Sequence, residues 1–384
     1  MTSRRMGQGP SQISRRTFVG GSLAAGAFGL SGCGGSDERT FDLGGENNVR
    51  IWTWADYVDP DEGGTIDRFV SETGVQVAYD ETYEDNAAAF DDVIEPALRA
   101  GRPLDHDIVV PTFWLASRML ERGWLEPIPL EIVPNHVNID PAFLTPAWDR
   151  GARFHMPWQA GITGIAYNPA LTGGVVPTIA DLFSAKFDAG IGMVREMRET
   201  VGFAMLVNGD DPSRPTLDTA ASGLERIREA KSSGQVSTFT SFEFADGLES
   251  GELAAAMAWS GDIVQLQATR PDIQFVIPDE GAIQWFDTMV IPRGAGNMAA
   301  AGKWMNFVYE PSNAALITSY VQYISPVIGV QNALDDLGGE SAQLASNPIL
   351  FPDAATKKRL FTWGGLNETE EVSLDASFAE IIGQ

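Results

Sequence analysis

Five short stretches carry tryptophan and carboxylate side chains in patterns suited to holding a cation. They are Trp54-Ala55-Asp56-Tyr57, Pro111-Thr112-Phe113-Trp114, Arg195-Glu196-Met197-Arg198-Glu199, Trp259-Ser260-Gly261-Asp262 and Trp285-Phe286-Asp287. An ammonium over a desolvated ring gains about 0.5–2 kcal/mol, and methylenes bury apolar area against the same ring. Carboxylates then fix where the charges stop. The combination suits a flexible methylene chain bearing ammonium groups. A neutral ligand would leave the carboxylates desolvated and unpaired, a penalty of several kcal/mol. A sugar also stacks on aromatics, but it calls for Asn, Gln and mixed donors. Any one of these tryptophans alone is more often core than contact. Four in equivalent positions, each near an acid or hydroxyl, weigh against that reading. If a helix starts after residue 194, Glu196 and Glu199 share one of its faces. Acids there are also ordinary partners of the helix dipole, and Arg198 is placed to neutralise one of them.

Residues for other chemistries are scattered or missing. His106, His136 and His155 lie far apart with no HExxH or CxxC company, which argues against a zinc site or a histidine-based triad. No G-x-x-x-x-G-K-[ST] or G-x-G-x-x-G motif occurs. Gly209-Asp210-Asp211 lacks the rest of a calcium ligand set and reads as a solvated turn. No catalytic residue, metal or cofactor is expected. Two alternatives stay open: a receptor for another solute, such as a cationic amino acid derivative or an oligosaccharide, and an exported hydrolase using Glu196 and Glu199 as acid and base. Carboxylates three apart on one helix face sit too much on the same side to flank a scissile bond, which counts against the hydrolase.

The elements that must position these groups alternate along the chain. Strands are predicted at 49–52, 75–79, 107–111, 162–167, 191–194, 254–259 and 289–291. Helices are predicted at 65–73, 87–100 and 218–233, stopped by Gly74, Gly101 and Gly234. Alternation of this kind implies α/β architecture with parallel sheets and helices on both faces. Ligands sit at the carboxyl ends of such strands, where four of the five stretches fall, with Trp285-Phe286-Asp287 read as preceding the last strand.

The first residues set location. Ser14-Arg15-Arg16-Thr17-Phe18-Val19 reads as a twin-arginine export signal, and Leu30-Ser31-Gly32-Cys33 as a lipobox, so residues 1–33 form a leader with Cys33 as the lipidated residue. The apolar stretch between them is too short and glycine-rich to span a bilayer, which takes about 20 residues. Residues 34–48 read as a flexible tether. Cys33 is the sole cysteine, so no disulfide framework supports the exported body. The formal net charge of −26 becomes −30 once the four leader arginines are removed. That sign argues against nucleic acid and anionic lipid as ligands and for cations. An acidic surface also fits a saline habitat, so specific carboxylates must carry the argument.

At these residues the chain resembles the spermidine/putrescine-binding proteins, the extracytoplasmic receptors of polyamine ABC transporters. The likeness covers residues 51–363, with Trp54 to Val58, Val109-Val110-Pro111, Arg195 to Glu199, Met257 to Gly261 and the run Pro278-Asp279-Glu280-Gly281-Ala282-Ile283-Gln284-Trp285-Phe286-Asp287 as its specific stretches. It implies a two-lobed, periplasmic-binding-protein-like fold of type II. Each lobe would be a mostly parallel sheet flanked by helices, and a double crossover would form the hinge. The expected boundaries are 49–159 and 287–326 for lobe 1, and 160–286 and 327–384 for lobe 2. A polyamine is the implied ligand, ABC permease subunits the partner, and a monomer the form.

Carried over residue by residue, the ligand contacts are Trp54, Asp56, Tyr57, Thr112, Trp114, Glu196, Glu199, Trp259, Trp285, Asp287 and Tyr323. The last lies in Tyr323-Ile324-Ser325-Pro326, which residue patterning leaves as core. By resemblance Trp259 and Trp285 cover the methylenes, Asp287 takes a terminal ammonium, Glu196 and Glu199 take the inner one, and Asp56 and Tyr57 finish the far end. The chain departs from the spermidine pattern in having Asp56 in place of a longer Glu, Trp114 at a tyrosine position, and Gly364-Gly365 near Trp363 where a glutamine stands. All three touch one end of the pocket, so spermidine against putrescine stays open.

Overall fold

The structure is a computed structural model and describes residues 47–184 and 187–383. The twin-arginine stretch, Cys33 and nearly all of the tether lie outside the described residues. In chain order the strands are β1 (Asn48–Trp52), β2 (Gln76–Asp80), β3 (Ile108–Val109), β4 (Leu125–Glu126), β5 (Met156–Tyr167), β6 (Gly190–Val194), β7 (Thr238–Thr240), β8 (Leu253–Trp259), β9 (Gln274–Val276), β10 (Ala282–Met289), β11 (Ile291–Pro292) and β12 (Leu360–Phe361).

The smaller sheet is parallel, in the order β2-β1-β3. Successive side chains on a strand face opposite ways, and here they feed two apolar clusters. Ile51 and Ile108 join Phe69 and Trp304 on one side, while Trp52 and Val109 join Ile94, Leu98 and Leu115 on the other. Helix Thr65–Thr73 ends at Gly74, whose φ of 71° is left-handed and favours glycine. The helix predicted over 87–100 runs from Asn86 to Arg99 but widens to a π-helical turn over Ala89–Ile94.

The larger sheet runs β12-β10-β5-β8-β6-β7, with β9 also on β5. Here the expected parallel pattern is corrected. β6 is parallel to β7 and β8, but β5 is antiparallel to β8, β9 and β10. The reason is topological. β5 begins beside the small sheet and β10 ends there, as Val290 bridges to Val109 and Met289 pairs with Met156. A chain that leaves by one strand and returns by its neighbour must run in opposite senses. The sequence showed only half of β5, because Gln159 and Gly161 interrupt the apolar run of its first half, yet all twelve residues are buried.

Helices Met197–Asn208, Leu217–Ser232 and Glu368–Ile382 stack on one another beside the large sheet, and helix Phe244–Ser250 packs on β8. The result is an α/β molecule of two lobes joined through β5 and β10. Among the described residues no helix is long and apolar enough to cross a membrane.

Candidate functional site

The carboxylates arrive first. β6 ends at Val194, and Glu196 forms the N-cap of helix Met197–Asn208, its side chain accepting from the Arg198 N–H at 3.4 Å. Glu199 follows in the first turn, where the helix dipole favours an acid, and is only 6% exposed. One oxygen of Glu199 accepts from the Trp259 indole N–H at 2.8 Å and from the Thr163 hydroxyl on β5. Asp287, on β10 and 3% exposed, accepts from the Tyr57 hydroxyl at 2.7 Å on one oxygen and from the Thr112 hydroxyl at 2.7 Å on the other. Thr112 is fixed in turn by Asn86, which donates to its hydroxyl at 2.9 Å and accepts from its N–H at 3.1 Å.

Aromatic rings connect these acids. Ring centres of Trp259 and Trp285 are 6.4 Å apart at 75°, those of Trp285 and Tyr323 are 5.4 Å apart at 59°, and those of Tyr323 and Tyr57 are 6.3 Å apart at 64°. Phe242 packs on Trp259 with ring centres 5.1 Å apart at 66°. Two glycines make this chain of rings possible. A Cβ at Gly161 would press into the Trp285 ring, and one at Gly261 into the Tyr323 ring, both inside van der Waals contact. The Tyr323 hydroxyl donates to Asp262, and the Trp54 indole donates to the Val110 carbonyl at 2.9 Å.

Electrostatics follow from burial. Desolvation pushes the Glu196 carboxyl up to about 7, with Arg198 opposing it and Asp375 and Asp85 adding to it. Desolvation likewise pushes Glu199 up to about 8, with the charge of Glu196 adding, the Thr163 and Trp259 hydrogen bonds opposing, and Asp287 adding further. Such a site is poised for a cation, which relieves the burial of negative charge. Among the described residues no group of three His, Cys, Asp or Glu side chains is placed to hold a metal ion.

One cleft, enclosing roughly 680 Å³ including its open mouth, collects nine of the eleven expected residues: Trp54, Tyr57, Thr112, Glu196, Glu199, Trp259, Trp285, Asp287 and Tyr323. Asp56 and Trp114 do not line it. Asp56 sits at a positive φ of 56°, its N–H donating to Glu81 at 2.8 Å and its carboxylate accepting from the Tyr320 hydroxyl at 3.3 Å, so it is directed elsewhere. Trp114 has its face covered by the Arg198 guanidinium, 3.6 Å from the ring centre. A role also changes, since Tyr57 bonds Asp287 and does not stand at the end opposite it. Trp285 and Asp287 lie within β10, not before a strand, and point into the cleft because period-two alternation sends both to one face.

The cleft gains Glu84, Asp85 and Asn86 from one lobe and Arg195, Ser241 and Phe242 from the other. Asp85 carries a readable signal, because it caps the helix start at Asn86 by accepting from the Ala88 N–H at 2.8 Å. Thr163 and Phe242 carried none.

The family model described as bacterial extracellular solute-binding protein matches residues 64–352. The spermidine/putrescine-binding periplasmic protein of Escherichia coli strain K12 is 27% identical over 349 residues, covering 90% of this chain and 91% of that protein. The putrescine-binding periplasmic protein PotF of the same strain is 27% identical over 340 residues, covering 83% and 86%. Among solved structures, a putative spermidine/putrescine ABC transporter protein from Listeria monocytogenes superposes with a TM-score of 0.76 at 26% identity, covering 87% of this chain and 98% of that one.

Proposed function

Because the chain belongs to the family of bacterial extracellular solute-binding proteins, we propose that it captures a polyamine, spermidine or putrescine, between its two lobes and delivers it to the permease of an ABC transporter. The observation that carries this reading is the pair of buried acids, Glu199 and Asp287, set on the same cleft as the rings of Trp259, Trp285 and Tyr323. Rings that cover methylenes and acids that stop ammonium groups are what an elongated polycation requires. The names of the similar proteins agree with it. We divide the lobes at 49–159 with 287–326 and 160–286 with 327–384. Glu196 and Glu199 stand on one wall, an arrangement for holding a ligand and not for cleaving it. The twin-arginine leader and acylation at Cys33 would tether a monomeric receptor to the membrane, which mass spectrometry of the membrane-bound form would detect as an acylated Cys33.

Calorimetry tests the ligand. Spermidine or putrescine is expected to bind near micromolar strength, about −8 kcal/mol, with a change in tryptophan emission. No heat with either polyamine, nor with longer or modified ones, would end this reading.

A further inference from the structure

Away from the cleft, a second contact joins the lobes. Helix Phe113–Glu121, beside the small sheet, carries Trp114 and Arg118, with Arg122 at its C-cap. The spacing of four puts all three on one face. Helix Glu368–Ile382, beside the large sheet, carries Glu368, Glu371 and Asp375, again on one face. The two faces meet: the Arg122 Nε donates to Glu368 at 3.0 Å, and the Arg118 guanidinium stands 3.5 Å from Asp375.

Arg198 ties this contact to the cleft. Its guanidinium lies over the Trp114 ring and donates to Glu371 at 2.6 Å and to Asp375 at 3.1 Å. The same Nη1 that reaches Asp375 also reaches 3.3 Å to Glu196, which lines the cleft. Glu371 is held from behind by the Trp363 indole at 2.8 Å and the Leu366 N–H at 2.9 Å. Trp114 is the one member of this group that belongs to the small-sheet lobe and touches Arg198. A stack at 3.6 Å does not survive a hinge opening of a few ångströms.

We propose that Arg198 is a positioning residue that couples occupation of Glu196 to closure of the lobes, through its stack on Trp114 and the acidic face of helix Glu368–Ile382. Glu371 and Asp375 hold the edge of the guanidinium from the large-sheet lobe, and Trp114 covers its face from the opposite lobe, so separating the lobes uncovers that face and loosens the hold on Glu196. Closure and presentation of Glu196 are therefore coupled. The coupling rests on the polyamine reading for its ligand, whereas the latch does not.

The test uses Trp114→Leu, which removes the ring face and leaves the buried charge cluster whole, and Trp114→Tyr, which restores a face. X-ray scattering without ligand and calorimetry with putrescine and spermidine are measured on each. For Trp114→Leu the expected result is a larger radius of gyration when empty and affinities about three- to tenfold weaker for both polyamines, with their ratio unchanged, because only the fraction of closing-competent protein falls. Trp114→Tyr should recover both. Wild-type scattering and affinities in the leucine variant would overturn the proposal, as would a shifted putrescine-to-spermidine ratio, which would put Trp114 in the ligand's path. The pair Arg118→Ala with Arg122→Ala gives a second arm at the surface, where an unchanged radius counts against the latch. If wild-type protein binds neither polyamine, the ligand reading falls, and scattering alone still decides the latch.

Discussion

At the residue scale the site is built on carboxylates placed where water is scarce. Asp287 is fixed by two hydroxyls, and an ammonium arriving there would complete a buried charge pair. Asp287→Asn keeps the size and one oxygen but removes the charge. It is expected to weaken polyamine binding by about 2–5 kcal/mol in calorimetry, and normal binding by this variant would remove Asp287 from the proposed role. Protons are part of the same chemistry. Burial lifts Glu196 to about 7 and Glu199 to about 8 from an ordinary 4.5. A raised folded value means that protonation stabilises the empty protein. That contribution is full below 4.5 and is lost as pH rises through about 7 to 8. A bound ammonium favours the ionised acids, so affinity should climb over the same interval. Binding near pH 6 should release protons, read as a heat that changes with the ionisation enthalpy of the buffer. Equal affinity near pH 6 and pH 8 with no proton release would show both acids already ionised in the empty cleft.

At the element scale, strand and helix ends decide which side chains meet. Glu196 and Glu199 were legible because a strand followed by acids at a helix start is a local pattern. Trp285 and Asp287 were legible as residues but misplaced, since the strand that carries them begins at Ala282 and its apolar run is broken by Gln284. Gly161 shows what local pattern leaves out. It lies across the β5–β10 ladder from Trp285, and only the absent side chain lets the indole lie flat on the sheet. Gly161→Ala is expected to tilt that ring, to cost about 1–3 kcal/mol of folding stability and to weaken ligand binding, with circular dichroism unchanged. Retained affinity together with unchanged tryptophan emission would mean that the ring does not need the glycine.

At the scale of the whole molecule, ligand and fold are linked because the cleft is built from both lobes. Glu84, Asn86 and Thr112 come from one, and Glu199, Ser241 and Trp259 from the other. A ligand that binds only this arrangement stabilises it, by about 2.7 kcal/mol at a hundredfold excess over its dissociation constant. Thermal unfolding should therefore shift upward with spermidine or putrescine and stay put with a neutral sugar. A sugar that raised the melting temperature as much would point to a different solute.

The sequence by itself determined the class of the molecule, the alternation of its elements and most of the charged and aromatic residues of the cleft. Those properties are written in composition, period and capping, which act over a few neighbouring residues. Tertiary structure alone decided that β5 and β10 run antiparallel, that Tyr57 joins Asp287 across 230 residues of chain, and that Trp114 is covered by Arg198 instead of facing the cleft. Tertiary structure also brought in Thr163 and Phe242. Each of these depends on which distant surface a side chain meets once the lobes pack, and no local propensity encodes that meeting.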